Sequence, residues 1–287
     1  MPGAARPSVD LIVATVGRTD ELGGLLDSLE TQTHPPARVL VVDQNDDDRL
    51  AAQLGAHPSL PIERLRSGRG LSRARNAALP RLGAELVAFP DDDCRYPPDL
   101  LERVAARFRE DPALGILCGR LADEGGRATG RWGSERRRVG DDDVWRAGTS
   151  ATIFARREVI ERIGAFDEAL GLGPDARFGS GEEIDYLVRA LRAGVPVEYD
   201  PALVVIHPVR APTGVELVAL GRRDGGSVGY VLGRHGYPPR AVIRMLVRAA
   251  VGVLVSLVRL DGTRARFQAA TLVGRVCGLR YGRARRL

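Results

Sequence analysis

The chain has 287 residues, 44% of them hydrophobic, and a net charge of +5. That supports one large α/β domain, or a domain with an appendage, and excludes a disordered chain. The three cysteines, Cys94, Cys118 and Cys277, have neither metal-ligand spacing nor a disulfide framework, which fits a reducing compartment.

The first 120 residues alternate strand-like and helix-like segments. Val9–Ala14 is an apolar run ending at Thr15, read as a buried strand. Asp20–Glu30 carries leucines at helical spacing. Arg38–Val42 is a second strand ending at Asp43, and Pro61–Leu65 a third. Leu71–Leu82 reads as a helix, Glu85–Phe89 as a strand, Pro98–Phe108 as a helix and Leu114–Cys118 as a strand. This alternation predicts an α/β fold with a mostly parallel central sheet flanked by helices. Ligands in such sheets bind beyond the strand C-terminal ends. Thr15, Asp43 and Asp91-Asp92-Asp93 all fall there, so three separate segments deliver polar groups to one rim.

The second half is less regular. Asp123–Asp143 reads as a loop, Gly148–Phe154 as a strand, Arg156–Ile163 and Gly181–Ala193 as helices, and Pro196–Tyr199 and Leu203–His207 as strands. The main domain is expected to span residues 1–213, its nucleotide-binding half ending near 120. Residues 214–287 are expected to be a helical extension, with breaks at Gly236-Tyr237-Pro238-Pro239 and Asp261-Gly262.

Three adjacent carboxylates repel one another unless a cation compensates. In an extended segment Asp91 and Asp93 share a face, with Asp92 facing away unless the strand bends. Such a pair suits Mg²⁺ or Mn²⁺, which also take phosphate oxygens. Asp141–Asp143 follows a charged loop, not a strand, and reads as a solvated turn. Gly68–Ala78 is a Gly-rich, basic entry into a helix, suited to a diphosphate or to an ordinary capped helix. Neither a Walker motif nor a GxGxxG fingerprint is present, which argues against a nicotinamide cofactor.

The ordered set Thr15-x-x-Arg18, Val41-Val42-Asp43, Ala74-Arg75-Asn76, Phe89-Pro90-Asp91-Asp92-Asp93, Gly164-Ala165-Phe166-Asp167-Glu168 and Gly181-Glu182-Glu183-x-Asp185 resembles the family-2 glycosyltransferases with the GT-A fold. The likeness covers roughly Val9 to His207. It implies an inverting, metal-dependent transfer from a UDP-, GDP- or dTDP-sugar to a glycan or lipid-linked hydroxyl acceptor. Thr15, Arg18, Asp43, Arg75, Asp91 and Asp92 would bind the donor. Asp93 and His207 would hold Mn²⁺ or Mg²⁺, and Gly148-Thr149-Ser150 would face the acceptor. Glu183 would be the base, with Glu182 next. The family pattern there is Glu-Asp; the extra methylene of Glu183 moves its carboxylate by about one bond length, a displacement that matters in catalysis. One rival is a nucleotidyltransferase, although the basic loop expected after the first strand is too short. Another is a non-catalytic nucleotide-sugar or glycan binder on the same fold.

All the basic side chains are arginine, and eleven of them face a single acid, Asp261, between Tyr237 and Leu287. That stretch carries +10, which leaves −5 on residues 1–236. Arg244, Arg248, Gly252, Ser256 and Arg259 form a narrow polar stripe on an otherwise apolar helix. The stripe fits contact with an anionic membrane, a homodimer interface or a helical cap. Few aromatic residues accompany it, so nucleic acid is not expected. The N-terminal MPGAARPSVD lacks the layout of a signal peptide, and no run of about 20 residues is uncharged and continuously apolar. A cytoplasmic protein, or one peripheral on the inner face of the membrane, is therefore expected, with no ordinary spanning helix.

Overall fold

The computed structural model describes residues 6–130, 132–208 and 212–286. The chain forms two compact units, Met1–Phe166 with Tyr186–Val209, and Asp167–Asp185 with Arg210–Leu287.

The first unit is built on a sheet. Strands β1 (Val9–Thr15), β2 (Arg38–Asp43), β3 (Ile62–Arg66) and β4 (Leu86–Ala88) run parallel in the order β3-β2-β1-β4. β1 and β2 are buried on both faces because their apolar runs are nearly continuous. Helices α1 (Asp20–Glu30), α2 (Ala51–Gly55), α3 (Leu71–Ala78) and α4 (Leu100–Glu110) connect or follow these strands. Leu22, Leu25, Leu26 and Leu29 of α1 join Val9, Leu11, Val13, Val39 and Val41 in the core. α3 stops at Ala78, before the sequence reading ends it, and Pro80 continues as a single 3₁₀ turn.

The sheet continues through β5 (Ile116–Ala122), β6 (Arg137–Arg138), β7 (Ile153–Arg156) and β8 (Val197–Ile206) in the overall order β3-β2-β1-β4-β7-β5-β8-β6. β7 is antiparallel to β4 and β5, β8 is parallel to β5, and β6 is antiparallel to β8. Helix α5 (Arg157–Ile163) and, from Tyr186 on, helix α6 (Glu182–Arg192) complete this part. The two short strands expected at 196–199 and 203–207 are one strand. Pairing jumps from Cys118↔Tyr199 to Arg120↔Val204, so Asp200-Pro201 lies in a bulge, where a proline costs no ladder bond. A Cβ on Gly119 would stand 2.3 Å from the Leu203 carbonyl oxygen, so only glycine allows that close pairing.

The second unit is helical: α7 (Gly214–Arg234), α8 (Pro239–Val258) and α9 (Gly262–Arg283). Thr213 and Glu216 cap α7 reciprocally, and the Asp261 carboxylate accepts from Arg264 N at 2.9 Å to start α9. α7 and α9 meet backbone to backbone through Gly221, Gly225, Gly229 and Gly233 on one helix and Gly274, Gly278 and Gly282 on the other. The segment 167–185 packs on α7. Phe178 lies 5.1 Å from the Tyr230 ring, Tyr230 donates to Asp167 Oδ2 at 2.6 Å, and His235 Nε2 lies 2.7 Å from Asp185 Oδ1.

Two further sequence expectations change. α8 is long and apolar enough to cross a membrane by length and composition, because Arg244 and Arg248 interrupt its apolar run without removing its apolar character. Gly148–Phe154 is not one strand: Ser150–Thr152 is a 3₁₀ turn, and β7 starts only at Ile153.

Candidate active site

Parallel register fixes the rim. Thr15 pairs with Asp43, and Ala14 bridges Asp91, so the ends of β1, β2 and β4 deliver these residues side by side. Asp43 is fully buried. Its Oδ1 accepts from Asn45 N and Nδ2 at 2.9 and 2.8 Å, and its Oδ2 from Arg64 Nε and Nη2 at 2.9 and 2.6 Å. Burial pushes the Asp43 carboxyl up, but Asn45 and Arg64 outweigh it and hold the group below its ordinary range. Asn45 Oδ1 also accepts from Gly17 N at 2.7 Å, and Gln44 Oε1 from Gly70 N at 2.7 Å. These two amides tie the loops after β1 and before α3 to the end of β2. Sequence reasoning missed them, although polar residues directly after a buried strand were the available signal.

Asp91–Asp93 does not follow strand alternation. Cys94 N donates to the Asp91 carbonyl at 3.1 Å and closes a turn there. Asp92 therefore does not face away: the Arg18 Nη1 group lies 2.7 Å from Asp92 Oδ1 and 2.6 Å from Asp93 Oδ2. The Thr15 hydroxyl, which donates to the Arg18 carbonyl at 3.5 Å, also acts on the Asp92 carboxyl. Burial pushes the Asp92 carboxyl up, against the pull of Thr15 and Arg18.

His207 reaches the same place from β8. A two-way backbone pair between Arg95 and Ile206, at 2.8 and 3.0 Å, fixes its position. His207 Nε2 lies 3.1 Å from Asp93 Oδ1. The Asp93 contact raises the His207 pKa above the ordinary histidine value. Burial works to raise Asp93, but the His207 hydrogen bond and charge, with Arg18, outweigh it and lower the carboxyl.

A carboxylate oxygen and an imidazole nitrogen 3.1 Å apart can be neighbouring ligands of one cation with bonds of about 2.1 Å. The donor set Asp93 and His207 thus fits a divalent ion, and Arg18 now supplies the positive charge between the carboxylates. A second group, Asp27, Glu30 and the buried His57, has its ligand atoms close together. It sits at the far end of α1, away from the rim, and His57 is held there by Asp27 and the Gln53 carbonyl.

Arg75, on α3, is 1% exposed. Its guanidinium lies 5.5 Å from the Phe166 ring centroid and 6.0 Å from that of Phe89, and Nη2 approaches Asp91 Oδ1 at 3.5 Å. Asn76 beside it donates to the Phe166 carbonyl at 3.0 Å and accepts from Phe166 N at 2.7 Å. The loop 164–166 is thereby locked to α3.

β7 is antiparallel to β4, so its N-terminal end, with Gly148, Thr149 and Ser150 before it, lies where β4 ends. A Cβ on Gly148 would meet Cys118 Cβ at 3.3 Å, so the segment lies close against β5. The structure thus assembles Thr15, Arg18, Asp43, Arg75, Asp91, Asp92, Asp93 and His207 in the first unit. Glu182 and Glu183 open α6 in the second unit, Glu182 buried and Glu183 half-buried. Gly181, with φ +87, makes the turn before them.

The profile described as Glycosyl transferase family 2 matches residues 10–166. The chain belongs to glycosyl transferase family 2. Among relatives, this family member is 27% identical over 244 residues to the pre-mycofactocin glycosyltransferase of Mycobacterium tuberculosis. The match covers 77% of this chain and 50% of that protein, so the chain spans about half the relative's length. Among solved structures, the mannosyltransferase PcManGT from Pyrobaculum calidifontis, in complex with GDP-Man and Mn²⁺, superposes with a TM-score of 0.65 at 17% identity, covering 96% of this chain and 88% of that one. S. aureus TarS 1-349 in complex with UDP-GlcNAc gives a TM-score of 0.63 at 15% identity, covering 92% and 90%. These likenesses carry the fold: an α/β domain with a central, mostly parallel sheet flanked by helices, as in other members of the family.

Proposed function

We propose that this family-2 chain transfers a sugar from a nucleoside-diphosphate sugar to a hydroxyl acceptor, with inversion and with a bound divalent cation. The observation that carries the reading is the Asp93–His207 pair on the strand rim, with Arg18 as counter-charge. The ligands bound in the two structural neighbours, GDP-Man with Mn²⁺ and UDP-GlcNAc, support it.

In this reading Asp43 and Thr15 hold the nucleoside, with Asn45 and Arg64 keeping Asp43 ionised. Arg75 holds Asp91 in place for the ribose or sugar, and Asp92 orients Arg18 towards the diphosphate. Asp93 and His207 hold Mn²⁺ or Mg²⁺. When bound, the cation supplies electrostatic stabilisation of the departing diphosphate. Gly148-Thr149-Ser150 lines the acceptor side. The acceptor oxygen forms a bond to the anomeric carbon while the bond to the diphosphate oxygen breaks, and that oxygen keeps the electron pair. The acceptor proton passes to Glu183, or to Glu182 if the longer Glu183 side chain overshoots. A glycan of the cell envelope, free or lipid-linked, is the acceptor class that suits the basic C-terminal helices.

The Glu182-Glu183 sequence also favours a second reading, in which the site binds a nucleotide sugar without turning it over. A thermal-shift screen of UDP-, GDP- and dTDP-sugars, with and without Mn²⁺, tests the donor class. Stabilisation by one donor only with metal is expected; no response to any donor in either condition contradicts the proposal.

A further inference from the structure

α8 turns the wrong face outward for a helix of a water-exposed protein. Only Ala241, Val242, Ala249 and Ser256 of its twenty residues are buried. The inward side is small: Gly252 lies against Gln268 of α9, and Ser256 donates back to the Gly252 carbonyl at 2.8 Å. The polar stripe read from the sequence therefore splits. Gly252 packs on α9 and Ser256 is buried, while the arginines stay outside.

The large apolar residues stand in water. Ile243 is 58% exposed, Val247 51%, Val251 49%, Leu254 63% and Val258 84%. They recur at steps of four, four, three and four, which makes one continuous ridge. An apolar ridge of this length on a monomer marks an interaction surface.

Charge identifies the occupant. Arg240, Arg244 and Arg248 recur every four residues along one edge of the ridge. The stretch from Tyr237 to Leu287 carries +10, and its one acid, Asp261, is used to cap α9. Arg275 of α9 donates to the Met245 carbonyl, its Nε has no hydrogen-bond partner, and its neighbouring charge is Arg248. Burial and then the Arg248 charge lower the Arg275 pKa. Among the described residues no carboxylate is within ion-pair distance of Arg248 or Arg275. An apolar ridge with the unneutralised Arg248 at its edge, on a stretch that carries +10, matches a bilayer interface bearing anionic headgroups, in which acyl chains take the ridge and phosphates take the guanidinium groups.

We propose that α8 is an interfacial membrane-docking helix: it lies in the plane of an anionic lipid surface, with the 243–258 ridge in the acyl boundary and Arg240 and Arg248 on lipid phosphates. This goes beyond the transfer reaction and does not depend on it.

The test is co-sedimentation of the full chain with phosphatidylcholine vesicles, with and without phosphatidylglycerol, at low and high salt. Binding only to the phosphatidylglycerol vesicles, weakened by salt, is expected. Val247→Glu and Leu254→Glu should each weaken it by about tenfold, since each removes one apolar side chain from the boundary. Arg248→Gln should weaken it and reduce its salt dependence. Melting temperature and donor response must stay at the parent values in all three variants, because the side chains are exposed and outside the proposed site. Leu254→Ala serves as the milder variant where the glutamates lower the melting temperature. Absence of binding, or equal binding to both vesicle types, overturns the proposal. A dimer by light scattering that the ridge substitutions dissociate also overturns it, by assigning the ridge to a second copy. Retention on vesicles through an alkaline carbonate wash overturns it in favour of a spanning helix.

Discussion

Gly229→Ala tests the close packing of the second unit. A Cβ on Gly229 would lie 2.1 Å from the Arg275 carbonyl oxygen and 2.8 Å from both the Arg275 carbonyl carbon and Leu279 N. All three are backbone atoms of α9, so no side-chain rotation relieves the contact. Ordinary contact begins near 3.4 Å, so α7 and α9 must part by about 1.3 Å at this point. Parting would also open the neighbouring approaches at Gly225, Gly233, Gly274 and Gly278. Overpacking of well-packed sites costs about 1–3 kcal/mol, and the backbone contact puts this case at about 3 kcal/mol. For a unit of this size that is a fall in melting temperature of about 12–24 °C. The assay is thermal unfolding by circular dichroism, with hydrogen exchange to assign the loss to α7 and α9. Exchange in β1, β2 and β4 should not change. Gly55→Ala is the control: nothing lies within 4 Å of its Cβ, and an alanine there should be neutral or stabilise by up to about 1 kcal/mol. Parent-like melting and exchange in Gly229→Ala would refute the packing argument.

Three further outcomes follow from the site. Arg18→Gln removes the cation between Asp92 and Asp93; because Arg18 is nearly half exposed, metal-free stability should fall by only about 1 kcal/mol, and calorimetric melts should show Mn²⁺ restoring it. His207 has a raised folded pKa, so without metal its pair with Asp93 stabilises fully below the unfolded value of about 6.5 and is lost as pH rises through the folded value. Mn²⁺ affinity should run the opposite way and weaken as pH falls through that folded value, because the proton and the cation compete for Nε2; titration calorimetry reads this, and His207→Gln should flatten the profile. Glu183→Gln should keep donor binding and lower turnover by about 10²–10⁴-fold, read by nucleoside diphosphate release with acceptor present; undiminished turnover would move the role to Glu182.

The parallel half of the fold was legible because its signals are local. Continuous apolar runs gave β1 and β2, and the leucine spacing gave α1. The polar groups that end β1, β2 and β4 then located the rim. What the sequence hid depends on contacts distant in the chain. The turn at Asp91–Cys94 carries no glycine or further proline to announce it, so Asp92 was expected to face away and instead meets Arg18. Asp200-Pro201 looked like a strand break because the bulge opposite Gly119 is a property of two strands. The polar stripe of α8 was visible, but only the packing of Gly252 on α9 and the burial of Ser256 show that the large apolar residues face outward. Asn45, Gln44 and Asn76 act by tying separate loops together, and a linear reading gives such residues no partner.

In the proposed reaction the Asp93 carboxylate on the strand rim is required for nucleotide-sugar cleavage. Release of nucleoside diphosphate from the stabilising donor, with Mn²⁺ present, measures it most directly in the parent and in Asp93→Ala. Metal-dependent release by the parent is expected, and none above background in the variant, with Asp93→Ala still folded by circular dichroism. Equal release by the two proteins, or release by the parent that persists after metal is removed by chelation, would contradict it.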